Sequence, residues 1–191
     1  MTESHDPACA AQDDLGIARR VIEEGDFPHA AFHVAAALND APDDAQALAL
    51  ADELLQRSSD PFRLAPLRSD ENFAGTVALR ARFLQTRGRH REALPLIADL
   101  LRSTGKLAFL DWGCTSIAQM GSDLELPSLL RLMRAAWGRF VNGAGEENRQ
   151  RLVHLVDVLR ANKERFGESG EFLAHGSMVL RKAGDLAGAL A

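Results

Sequence analysis

The sequence predicts an all-α protein, an α-solenoid of antiparallel helix hairpins with about nine or ten helices and no sheet. Three observations predict it. Alanine, leucine and arginine, all strong helix formers, dominate the periodic segments, while the seven prolines fall almost entirely between them. Apolar residues recur at helical spacing along most of the chain. A glycine followed by a polar residue also closes one helical stretch and opens the next at three places: Ala18, Val21, Gly25, Asp26, Phe27 and Ala30; Ala81, Leu84, Gly88, Arg89, His90 and Ala93; Ser177, Leu180, Gly184, Asp185, Leu186 and Ala189. Each glycine has a small residue seven positions before it, an aliphatic one four before it and an alanine five after it, which is an internal repeat.

Residues 1–12 are polar and without period, and are expected to be disordered. From Asp13, the positions Leu15, Ala18, Val21 and Ile22 mark a first helix that Gly25 ends. Phe27, Ala30, Ala31, Val34, Ala37 and Leu38 mark a second, and Pro42 with Asp43 and Asp44 opens a third through Leu55. Residues 13–57 are therefore a first repeat with a following helix, and 58–70, with Pro61 and Pro66, a linker. Residues 71–105 form a second repeat, with helices from about Glu71 to Thr86 and Arg89 to Arg102. Residues 106–168 keep the helical period without the glycine turn, giving helices near 107–119, 125–141 and 146–166. Residues 169–191 are a third repeat, cut short.

Composition narrows the function. The chain has 191 residues and a net charge of −5. That charge is uneven: residues 1–60 carry three basic and thirteen acidic side chains, residues 61–110 nine and four, and the remainder ten of each. An acidic first segment beside a basic second one can pair internally or steer a partner. No window approaches a membrane span, so the expected location is cytoplasmic, with no membrane partner. Cys9 and Cys114 stand far apart in no metal-like spacing and read as free thiols. The basic cluster Arg80, Arg82, Arg87, Arg89, His90 and Arg91 has only Phe83 interleaved, on the core-facing side. No nucleic-acid partner is expected; an acidic protein partner or pairing with the acidic first segment is.

The run from Ala18 through Gly25, Asp26, Phe27, Ala30, Val34 and Ala37 to Pro42 resembles the tetratricopeptide repeat. Residues 11–44 match well. Residues 74–105 match at Ala81, Leu84, Gly88, Ala93 and Ile97, but have Leu100 and Gly105 where the motif prefers alanine and proline. The turn glycines are 63 and 96 residues apart, short of two and three 34-residue periods, so the array is irregular. The resemblance implies a non-catalytic protein–protein interaction scaffold that takes a peptide or protein segment, acidic by preference, in a concave groove. Carried over position by position, the groove is Leu15, Arg19, Ile22 and Glu23, then Ala78, Arg82, Gln85 and Thr86, then Ala174, Met178, Arg181 and Lys182. The alternative is that these arginines are ordinary solvated helix residues.

No cofactor, metal or catalytic residue is expected. His29 and His33 have the spacing of a metal pair, but no third ligand follows at a recognisable distance and Ala30, Ala31 and Phe32 intervene in place of a metalloprotease glutamate. They read as a surface or packing pair. Asp111-Trp112-Gly113 and Gly105-Lys106 are chance echoes of a kinase tripeptide and a phosphate loop, and Trp112, Trp137 and Phe140 read as core anchors. The apolar end, Leu186 to Ala191, is unlike a solenoid cap. Two expectations follow: the chain is the N-terminal recognition domain of a larger enzyme, such as a glycosyltransferase, or of a regulator, or else a second copy covers the final helix in a homodimer.

Overall fold

The computed structural model describes residues 7–68, 72–104, 106–120, 124–140 and 146–190. Among them are eleven helices and no strand: α1 (Pro7–Glu24), α2 (Phe27–Asp40), α3 (Ala45–Arg57), α4 (Pro61–Leu64), α5 (Ala74–Thr86), α6 (His90–Ser103), α7 (Leu107–Met120), α8 (Leu126–Phe140), α9 (Glu146–Phe166), α10 (Gly170–Ala183) and α11 (Leu186–Leu190). Ten are the expected helices. The eleventh, α4, is a single turn inside the expected linker, opened by Pro61 in its first turn, where the missing proline N–H costs no helix bond. Pro7 likewise stands first in α1, followed by alanines. The helix therefore covers residues 7–12 of the stretch expected to be disordered, and residues 1–6 lie outside the described ones. No described helix is long and apolar enough to cross a membrane.

All three repeat glycines adopt the left-handed conformation, Gly25 at φ 83°, Gly88 at φ 67° and Gly184 at φ 88°, and among the described residues they alone have positive φ. The same pair of bonds closes each helix. The Gly25 N–H donates to the Ile22 carbonyl (3.1 Å) and the Asp26 N–H to the Val21 carbonyl (2.9 Å). Gly88 and Arg89 repeat this on Gln85 and Leu84, as do Gly184 and Asp185 on Arg181 and Leu180. This is the Schellman arrangement, which satisfies carbonyls that the helix end leaves open. The residue after the glycine then begins the next helix: Asp26 Oδ1 accepts from the His29 N–H (3.2 Å) and Asp185 Oδ1 from the Gly188 N–H (2.8 Å). Arg89 has no acceptor oxygen to offer. It pairs instead with Glu92 at 2.6 Å and lies over the Phe62 ring at 4.9 Å.

The chain divides into two compact units, Met1–Leu96 and Ile97–Ala191, the division falling inside α6 one residue beyond Pro95. In the first unit α2 packs against α1, α3, α4 and α5, and α3 also meets α1 and α5. Small residues make this possible. Ala18, Ala30, Ala31, Ala47, Ala51 and Ala81 are all buried among Ile22, Leu38, Leu54, Leu79 and Phe83. The closest approach is at Gly75 of α5, where an added Cβ would lie 1.8 Å from the Ala35 carbonyl oxygen of α2.

In the second unit α9 packs against α7, α8 and α10, and α10 against α8 and α11. Its core holds Phe109, Ile117, Met120, Leu124, Leu155 and Phe172. Trp112 is buried as expected, edge-on to Phe109 with centroids 6.1 Å apart. The expected anchors Trp137 and Phe140 lie outside the described side chains. Cys114 is fully buried on α7, and burial, then the nearby Asp111 carboxylate, pushes its thiol from 9.0 up to about 12. Its folded value exceeds its unfolded one, so its contribution is intact below pH 9 and is lost as pH rises from 9 toward 12. At pH 8 iodoacetamide is expected to leave Cys114 unlabelled in the native chain and to label it in 6 M guanidinium, read by peptide mass spectrometry. Native labelling within minutes would contradict this burial.

Candidate functional site

The groove positions expected in the first unit divide into three groups. Leu15, Ile22 and Ala78 are buried. Because α1 meets both α2 and α3, the face that carries Leu15 and Ile22 is used by the core, which corrects their expected place on a ligand-facing surface. Arg19 and Glu23 are exposed on α1. Arg19 borders a shallow recess of about 300 Å³ with Leu15, Gly16, Asp44 and Gln46.

Arg82 and Thr86 converge on Asp52 of α3. The Arg82 guanidinium donates to both carboxylate oxygens, at 3.0 and 2.5 Å, and the Thr86 hydroxyl donates to Oδ1 at 3.0 Å. Gln85 beside them is half-buried. This is the internal pairing of basic and acidic segments that the charge distribution anticipated, so Arg82 brings no uncompensated charge to a ligand. Arg80 is similarly occupied: it donates to the Phe62 (2.7 Å) and Ala65 (3.0 Å) carbonyls and lies over the Phe62 ring at 5.2 Å. Of the basic cluster, Arg80, Arg82 and Arg89 thus stabilise the fold around α3 and α4.

The second unit carries a groove of about 460 Å³ between α9, α10 and α11. Its lining is largely apolar. Leu159 comes from α9, Phe172, Leu173, Gly176 and Leu180 from α10, and Gly188 and Ala189 from α11. Gly176 provides the room: with no side chain it leaves α10 open opposite Leu159, whose Cδ2 a Cβ there would meet at 3.5 Å. The small Gly188 and Ala189 keep the α11 side low. Leu173 is 45% exposed, an uncovered aliphatic side chain at the opening. Of the α10 positions expected to face a ligand, Ala174 lines this groove, whereas Met178, Arg181 and Lys182 do not. Arg181 and Lys182 stand in the last turn of α10, where they oppose the negative end of the helix dipole.

The rim is basic. Arg160 is held by Asp185 at 3.0 Å and Asp157 at 4.0 Å. Asp185 also caps α11, and the Gly188 N–H, then Arg160, hold its carboxyl below the usual carboxylate range. One residue of the repeat turn therefore fixes α11, the wall of the groove and the position of Arg160. Gly188 must be small for this, because a Cβ there would lie 2.6 Å from Asp185 Oδ2. Lys163, one turn beyond Leu159, makes no ion pair with a described residue.

Two polar side chains nearby have other duties. The Ser177 hydroxyl, which lines the groove, donates to the Ala174 carbonyl at 3.0 Å. His175 donates from Nδ1 to the Glu171 carbonyl (2.9 Å) and accepts at Nε2 from Arg134 (3.1 Å). Burial, then Arg134, pushes its pKa down, in keeping with a neutral ring.

Sequence reasoning missed Asp52, Leu159, Lys163, Phe172, Gly176 and Leu180. Phe172, Gly176 and Leu180 do form an i, i+4, i+8 stripe, and that signal was present in the sequence. It lies about half a turn from the mean direction of the positions that the repeat pattern selected. Comparison with family models, curated proteins and solved structures returns no match.

Proposed function

We propose that this chain is a non-catalytic protein-interaction scaffold built from tetratricopeptide-like hairpins, and that its second unit receives a short aliphatic and acidic segment of a partner protein between α9, α10 and α11. The observation that carries this reading is the apolar groove with exposed Leu173 at its opening and, at its rim, Lys163, which has no ion-pair partner among the described residues. Covering Leu173 and Leu180 removes apolar surface from water, at about 25 cal/mol per Å². A carboxylate on the same segment meets Lys163 and the exposed side of Arg160 in a charge-assisted contact. The three repeated glycine turns support the architectural part of the proposal.

Selection of random phage-displayed peptides on the intact chain tests it. Enriched peptides are expected to share an aliphatic anchor close to a carboxylate. The best of them should bind at least ~10-fold more weakly to Leu173→Glu and to Lys163→Glu, a loss of about 1.4 kcal/mol each. Arg181→Glu, whose side chain lies off the groove, should bind like the parent. Undiminished binding to both groove variants would remove the reading.

A further inference from the structure

At the α1–α2 hairpin four side chains form a row: Asp14, His33, His29 and Asp26. The two imidazoles direct their Nε2 atoms at each other, 3.1 Å apart. Behind His33, Nδ1 lies 2.6 Å from Asp14 Oδ1, which fixes a proton on Nδ1. Behind His29, Nδ1 faces Asp26 Oδ2 at 3.6 Å. The other oxygen of Asp26 accepts the His29 backbone N–H, so this carboxylate is anchored by the cap of α2. Phe32 packs edge-on against His33, with centroids 5.4 Å apart. The His33 side chain is only 13% exposed, whereas that of His29 is half-exposed, leaving the pair open on one side.

With Nδ1 of His33 donating to Asp14, its Nε2 is an acceptor, and the 3.1 Å contact places one proton between the two Nε2 atoms. A cation that replaced this proton would meet two convergent lone pairs. At metal–nitrogen distances of about 2.0–2.1 Å, tetrahedral coordination separates two nitrogens by about 3.4 Å and square-planar cis coordination by about 2.9 Å. The observed 3.1 Å lies between these, so ring rotations of a few tenths of an ångström reach either.

We propose that His29 and His33 are a binding site for an imidazole-preferring divalent transition metal, zinc in the first instance. Asp14 holds the His33 ring by its far nitrogen, the carboxylate–histidine–metal arrangement that sets tautomer and raises ligand basicity, and Asp26 adds a second carboxylate 3.6 Å from the far nitrogen of His29. Binding releases the shared proton and forms two metal–Nε2 bonds. Among the described residues no group of three His, Cys, Asp or Glu side chains could hold a metal, so water completes the coordination and the site exchanges readily. The acidic character of residues 1–60, thirteen acidic side chains against three basic, favours a cation there.

Zinc titration of the intact chain against a chromophoric chelator tests the proposal. One equivalent is expected to bind. Affinity should fall at least ~100-fold in the double variant His29→Gln/His33→Gln and about 10–100-fold in Asp14→Asn. A measurement on the parent chain guards against a variant that fails to fold: zinc should protect His29 and His33 from diethylpyrocarbonate, read peptide by peptide, while His175 remains as reactive as without zinc. Full zinc affinity in a folded double variant, or no protection of the pair in the parent chain, would overturn the assignment.

Discussion

Alanine at position 75 is expected to destabilise the first unit by roughly 3 kcal/mol, near the upper end of what overpacking costs. A single methyl has this effect because its neighbours are backbone: the added Cβ would meet the Ala35 carbonyl oxygen at 1.8 Å, the Ala35 carbonyl carbon at 2.7 Å and Asn39 Cβ at 3.0 Å. Neither helix can yield locally, since α2 is packed by α1, α3 and α4 as well. Relief requires α5 to move away from α2 as a body, at the expense of Val77, Ala78 and Ala81 in the core. Gly113 is the control. Its Cβ would approach Leu101 Cδ2 at 2.7 Å, but that atom ends a flexible side chain, so Gly113→Ala should cost about 1 kcal/mol. Urea denaturation followed by circular dichroism separates the two, and a parental midpoint for Gly75→Ala would show that α2 and α5 do not touch at this glycine.

Phe83→Ala is expected to cost about 3–5 kcal/mol. Phe83 is completely buried on α5 and meets Phe62 edge-on at 6.4 Å. Phe62 in turn carries Arg80 and Arg89 over its ring, so emptying the Phe83 site also unseats the residue on which two guanidinium groups rest. Against a total stability of about 5–15 kcal/mol for an ordinary domain, the loss should lower the urea midpoint far more than truncation of an exposed aromatic. Phe73→Ala, at a side chain 51% exposed, supplies that comparison. Equal midpoints for the two would mean that Phe83 does not anchor this core.

The helices were legible because their signals are local. Starts and stops of α2, α3 and α5 to α11 fall within a few residues of their expected places, at Asp26, Asp44, Ser169 and the three glycines. Each cap joins residues two to five apart, so spacing alone reveals it. The early start of α1 was missed because residues 1–12 are polar and carry no apolar period, and the extra turn α4 because Pro61 was read as a breaker, whereas at the first helical position proline starts a helix.

The candidate site was less legible. Of the twelve positions chosen from the repeat pattern, Leu15 and Arg19 border the recess of the first unit and Ala174 the groove of the second, while Ile22 and Ala78 serve the core. The repeat pattern says which residues share a face. It does not say whether another helix covers that face, and α3 meets α1 in the first unit.

The sequence by itself determined the all-helical class, the positions of the turns and the left-handed glycines, since helix period, capping and positive φ depend on neighbours within one or two turns. Only the tertiary structure decided which faces are covered, which charges are neutralised and where space is left. Arg82 meets Asp52 across 30 residues, Asp14 backs His33 across 19, Gly75 meets the backbone of Ala35 and Gly176 opens opposite Leu159. Such contacts depend on the rotation and separation of packed helices, which side-chain volumes on both partners set together and which no single segment encodes.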